Sequence, residues 1–194
     1  MSRLIAIEGL DGAGKSTLTK AVATELNALL LSTPGSDFDE IRPRLEENFK
    51  DHPDSRQLFY FSTVIRCSDK ARSALAAGRN VVIDRYLAST QVYAQLRGPH
   101  LLLEDLEKRL TQPDLWVFLD CADHERKRRM QRRGILTAED ERSLADAPRL
   151  RILYQEHFQR SPIVGHLLNL DSTSTDVDTL ARQIVRELEQ RWTG

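Results

Sequence analysis

Gly9-Leu10-Asp11-Gly12-Ala13-Gly14-Lys15-Ser16 follows directly on a five-residue strand candidate, Leu4 to Glu8, and leads directly into an amphipathic stretch at residues 15–26, and this order decides the fold. Strand, glycine-rich loop and helix in that sequence form an anion cradle. The glycines let the backbone curl so that its N–H groups turn inward, and the following helix adds the positive end of its dipole. Lys15 is placed to reach the β- and γ-phosphates of a nucleoside triphosphate. The Ser16 hydroxyl is placed to bind a Mg²⁺ ion bridging the same two groups.

Composition narrows the partners. The 194 residues can bury a sizeable core, no proline- or glycine-rich linker divides them, and the expectation is a single domain over residues 1–194. A net charge of −1 gives no electrostatic footprint for nucleic acid or for an anionic membrane, so small soluble ligands are the expected partners. The chain enters its first strand without an apolar leader and contains no apolar run of membrane-spanning length, which predicts a cytoplasmic protein. Cys67 and Cys121 read as reduced filler thiols, and the five histidines show no paired metal spacing.

Strand and helix patterns alternate through the rest of the chain. Further strands are read at residues 28–31, 80–83, 115–119 and 166–170, with helices at 39–49, 55–77, 88–96, 101–110, 124–133 and 176–192. Continuous apolar strands separated by helices predict an α/β fold: a parallel sheet of about five strands with helices on both faces. In such sheets ligands bind beyond the strand C-termini, where the glycine loop, Asp84 and Asp120 all fall. Asp84 is therefore a candidate partner for Mg²⁺, largely through water, with Glu8 as a further candidate, and Arg85 points into the same cleft. Six of the eight residues 126–133 are basic, and Arg129 and Arg133, four apart, share one helix face on which they can converge on an anion.

From residue 84 onward the chain resembles the thymidylate kinases, P-loop nucleoside monophosphate kinases. The resemblance is carried by Asp84-Arg85-Tyr86 followed by Ser89-Thr90-Gln91-Val92-Tyr93, by Ile7-Glu8-Gly9-Leu10-Asp11-Gly12-Ala13-Gly14-Lys15-Ser16-Thr17, by Pro34-Gly35, by Arg129 and Arg133-Gly134, and by Asn169-Leu170-Asp171 before a long helix. It implies the three-layer P-loop kinase fold with a short arginine-rich lid at about residues 124–145. It also implies transfer of the γ-phosphoryl group of ATP to a (deoxy)nucleoside monophosphate, dTMP to dTDP, by a homodimer.

Site residues follow from the resemblance one by one. ATP would contact Gly9, Asp11, Gly12, Ala13 and Gly14, and then Lys15, Ser16 and Thr17. On the acceptor side Asp11 would hold the sugar 3′-hydroxyl, Arg42 would grip the phosphate, and Arg85 would bridge acceptor and transferred groups. Arg66 would face the base, with Ser89, Thr90 and Tyr93 lining the same pocket and Phe61 as the candidate stacking ring. Members without a basic residue inside the loop supply transition-state charge from the lid, which here falls to Arg129 and Arg133 beside Lys15 and Arg85.

Three departures from the family pattern bear on the acceptor. The family's Arg-Glu-Pro-Gly-Gly-Thr is Ser32-Thr33-Pro34-Gly35-Ser36-Asp37 here. Ser62, not an aromatic, stands four positions before Arg66, and the lid's Asp-Arg pair is replaced by Glu139-Asp140-Glu141-Arg142. Two alternatives stay open: a kinase for a non-standard nucleotide, a nucleoside or another hydroxyl compound, and a nucleotide-binding switch without kinase activity.

Overall fold

A computed structural model describes residues 1–192. Five strands, β1 (Leu4–Gly9), β2 (Leu29–Ser32), β3 (Val81–Asp84), β4 (Leu115–Asp120) and β5 (His166–Asp171), form one sheet in the order β2-β3-β1-β4-β5, every pair parallel. The helices are α1 (Lys15–Glu25), α2 (Arg42–Asn48), α3 (Pro53–Ala76), α4 (Leu87–Leu96), α5 (Glu104–Glu107), α6 (Asp123–Arg133), α7 (Ala138–Ala145), α8 (Ala147–Arg160) and α9 (Val177–Trp192). The expected P-loop kinase architecture is the one observed. Among the described residues no helix is long and apolar enough to cross a membrane.

Strand alternation divides the core into two layers. In β1, Leu4 and Ala6 face a layer built with Phe61, Val64, Leu87, Trp116, Leu153 and Tyr154, under α3, α4 and α8. Ile5 and Ile7 face the other layer, built with Leu18, Val22, Leu180 and Ile184 under α1 and α9. The same two-residue period sends Glu8 toward α4 and, in β3, Asp84 toward α1. Gly9 ends β1 at φ 144°, and a Cβ there would lie 2.1 Å from the Leu119 carbonyl oxygen of β4.

Three expectations are corrected. The helix predicted over residues 101–110 shrinks to the four residues of α5, because Leu103 to Leu110 close into tight successive turns instead of a continuous helix. Residues 135–165, left without a predicted element, contain α7 and α8. A capping box opens α7, Thr137 and Asp140 bonding reciprocally, and Leu150, Leu153, Tyr154 and Phe158 give α8 its buried stripe. The helix predicted at 39–49 begins only at Arg42, with Pro43 in its first turn.

Candidate active site

The glycine loop crosses from the sheet to the start of α1, where Gly14 (φ 97°) provides no side-chain cap and leaves the helix's positive end open to an anion. Gly12 has φ 80°, and a Cβ there would meet the Arg126 carbonyl oxygen of α6 at 3.2 Å, so both conformation and packing require glycine. Lys15 is not the solvent-facing charge its motif position suggests: it is 6 % exposed, its Nζ donates to the Leu10 carbonyl at 2.7 Å, and Asp11 lies 3.9 Å away. Burial, helped by the charge of Arg85, pushes its pKa down to about 7.

That shift has a measurable sign. An anion at the loop favours the charged lysine and raises its pKa, so triphosphate binding at pH 8 is expected to take up a proton, and affinity should fall as pH rises through about 7. Calorimetric titration of ATP in two buffers of different ionisation enthalpy should give different apparent enthalpies at pH 8 and the same enthalpy at pH 6. Equal enthalpies at pH 8 would show that Lys15 is already charged.

On the α1 face, Ser16 Oγ donates to Asp84 Oδ2 at 2.6 Å, while the buried Asp84 Oδ1 has no hydrogen-bond partner. A hydroxyl and a carboxylate with a spare oxygen, both beside the phosphate loop, suit a Mg²⁺ ion held mainly by phosphate and water. Among the described residues no group of three or more His, Cys, Asp or Glu could hold a metal ion. Glu8 does not join this pair. Strand parity puts it on the opposite face, where one oxygen accepts the Tyr86 N–H at 2.8 Å and the other accepts from Ser89 Oγ. Burial raises its pKa, and those hydrogen bonds oppose the rise.

Arg85 connects the two sides of the site. Its backbone is left-handed (φ 62°), pinned by its N–H to the Ile7 carbonyl at 3.0 Å and by the Thr33 hydroxyl, which donates to its carbonyl at 3.0 Å. Its guanidinium bonds Asp11 and donates to Ser89 Oγ at 3.0 Å, and the Tyr93 hydroxyl donates to the other Asp11 oxygen at 2.9 Å. Burial opposes ionisation of Asp11, but the charges of Arg85 and Lys15 outweigh it and hold the carboxyl well below its ordinary range.

A cavity of about 350 Å³ opens beyond this pair. Of the residues expected around an acceptor, Asp11, Arg42, Arg85, Ser89, Thr90 and Tyr93 all lie on its wall, together with Arg133 from the end of α6. Phe61 and Arg66 do not. Phe61 is 1 % exposed in the core, and Arg66, on an outer face of α3, pairs with Asp37 and sits over the Phe38 ring. From α3 the wall instead carries Tyr60 and Arg56, one helical turn apart, with Glu46, which both of them approach, and Arg97.

The lid arginines divide in their roles. Arg129 is fully engaged: it donates to Glu125 at 2.8 Å, to the Ala13 carbonyl at 3.1 Å and to the Ser172 carbonyl at 2.6 Å, clamping the outside of the loop to the segment after β5. It is a loop anchor in this geometry, away from the acceptor cavity. Arg126, absent from the sequence expectations, is 0 % exposed and donates to the Asp11 carbonyl at 2.7 Å and to the Ser143 carbonyl of α7 at 3.2 Å.

The chain is similar to known proteins along most of its length. The family model described as thymidylate kinase matches residues 7–190. A probable thymidylate kinase of Archaeoglobus fulgidus is 32 % identical over 141 residues, covering 69 % of the chain and 72 % of the relative. A thymidylate kinase of Bdellovibrio bacteriovorus is 30 % identical over 207 residues, covering 97 % and 96 %. Among solved structures, the thymidylate kinase of Ehrlichia chaffeensis superposes with a TM-score of 0.70 at 20 % identity, over 96 % of this chain and 98 % of its own. The deoxyadenosine kinase of M. mycoides superposes with 0.62 at 20 % identity, over 96 % and 99 %. At these identities the two structures bear on the fold alone.

Proposed function

The chain belongs to the thymidylate kinase family, and from that premise we propose that it moves the γ-phosphoryl group of ATP to a deoxynucleoside monophosphate, converting dTMP to dTDP, as a cytoplasmic homodimer. The observation that carries this reading is Arg85: a half-buried guanidinium, on a residue whose backbone is pinned, standing between the phosphate loop and the cavity. A cation there can touch both the incoming phosphate and the group in flight.

In this reading Lys15 and the loop N–H groups hold the β- and γ-phosphates, and Thr17 adds to the ATP contacts. Ser16 and Asp84 would hold Mg²⁺, which when bound would supply charge neutralisation to the phosphates. Asp11 orients the acceptor sugar, and Arg42 and Arg85 grip its phosphate. An ionised acceptor oxygen forms the new bond to the γ-phosphorus as the bond to ADP breaks. No side chain need remove a proton, consistent with Glu8 having both oxygens occupied. Arg133, on the cavity wall, is the lid cation placed to add charge on closure, and Arg129 acts indirectly by holding the loop.

The test is a panel of deoxynucleoside monophosphates, thymidine, other hydroxyl compounds and no acceptor, each with ATP and Mg²⁺, followed by ADP release. Turnover of dTMP is expected to exceed that of thymidine at least about 10²-fold, because thymidine lacks the phosphate that Arg42 and Arg85 would grip with charge-assisted bonds. Comparable rates with thymidine would replace this reading by a nucleoside kinase, and ADP release at the no-acceptor rate throughout would leave a nucleotide-binding switch.

A further inference from the structure

We propose that the preferred acceptor carries a second anionic group on its base, read by Arg56 and Arg97 at the end of the cavity away from the phosphate loop. This rests on the monophosphate-kinase reading above and deepens it, ranking dTMP as an acceptor second to a monophosphate with such a base.

The Tyr93 ring marks the division between the two ends. The Arg85 guanidinium carbon lies 5.7 Å from its centroid and that of Arg97 lies 5.8 Å away. In-line transfer confines the acceptor phosphate to the Arg85 end, next to Lys15, so what reaches Arg97 is the nucleoside part. Arg56 and Arg97 share this part of the wall with Glu46, the one carboxylate near them, which also pairs with Arg42. Glu46 is already heavily used: the same Oε1 accepts from Arg42 Nε at 3.0 Å and from the Tyr60 hydroxyl, with Arg56 Nη2 at 3.7 Å. The cavity's other carboxylates are committed elsewhere, Asp11 to Arg85 and Tyr93, Asp140 to Thr137.

Two positive charges are thus left without a matching acid among the described residues. Arg56 Nε is buried without a hydrogen-bond partner, and Arg97 makes one bond, to the Tyr93 carbonyl at 3.0 Å. Desolvation and the adjacent Arg56 charge lower the pKa of Arg97, the direction expected of cations held close without a counterion. A neutral thymine ring would leave that charge unmatched. A carboxylate on the base would fill it with charge-assisted, fork-like bonds. An acid on the sugar 3′-oxygen would instead meet Asp11, so the base is the position favoured.

Calorimetric binding to the whole chain separates the cases, using dTMP, 5-carboxy-dUMP, orotidine 5′-monophosphate and thymidine 3′,5′-bisphosphate, with ATP turnover measured in parallel. The base-carboxylated nucleotides are expected to bind at least about tenfold tighter than dTMP, the scale of one charge-assisted bond. The advantage should vanish in Arg56→Gln/Arg97→Gln, with dTMP as internal reference for the 5′-phosphate. Carboxylated nucleotides binding no tighter than dTMP would overturn the proposal, as would a preference kept by the double variant or one shown only by the 3′,5′-bisphosphate. If dTMP is turned over without such a preference, only this inference falls; if no monophosphate is turned over, the kinase reading falls while the binding comparison still decides this one.

Discussion

Lys15→Met is expected to lower the single-turnover rate of phosphoryl transfer at least about 10³-fold while the chain stays folded. Methionine keeps most of the buried volume, so the change removes charge and one hydrogen bond, that to the Leu10 carbonyl. The lost bond costs about 1 kcal/mol, which for a chain of this size moves the melting temperature by about 2–4 °C. Rapid-quench rates at saturating ATP, read beside a thermal melt, check both halves. A rate within tenfold of the parent would remove Lys15 from the chemistry, and a melt lowered far beyond that range would mean that its buried contacts are structural first.

Arg85→Gln is the second large effect. Two charge-assisted bonds to an acceptor phosphate, each worth about 1.5–3 kcal/mol, amount to a loss of at least about 10² in kcat/KM for the acceptor. ATP affinity should change by less than about threefold, because the loop and Lys15 hold that ligand. Titrating both substrates against the variant gives the split. A normal acceptor constant with weakened ATP would move Arg85 to the donor side and empty the acceptor end of its central cation.

Legibility from sequence followed locality. The loop, its flanking strand and helix, and the Asp84-Arg85 pair are contiguous stretches whose chemistry does not depend on distant packing, and all were readable. The parity that takes Glu8 away from Asp84 was also in the sequence, since Leu4, Ala6 and Glu8 alternate with Ile5 and Ile7. Which face of α3 borders the cavity was a different matter. It depends on how α2 and α4 pack against that helix, so Arg66 and Arg56 could not be ranked from spacing alone. Arg126 and Arg129 were harder still, because their partners include main-chain carbonyls of Asp11, Ala13, Ser143 and Ser172, and a carbonyl leaves no mark on residue type. The helices at residues 138–160 carried a readable cap and stripe, and Gly134, Pro148 and Pro162 punctuate them, but the basic run before them drew the reading to charge.

The close approach of Gly9 to Leu119 changes how a mutational scan of this protein should be scored. Positions 9 and 15 belong to one motif, and an activity screen would record both as intolerant. Yet any side chain at position 9 collides with the neighbouring strand's backbone, 2.1 Å away, before a nucleotide is ever involved. Its variants would vanish from the soluble fraction, whereas variants at 15 would accumulate as inert protein. Abundance and turnover, recorded as separate phenotypes, would split the motif into a residue that lets the sheet assemble and residues that handle phosphate.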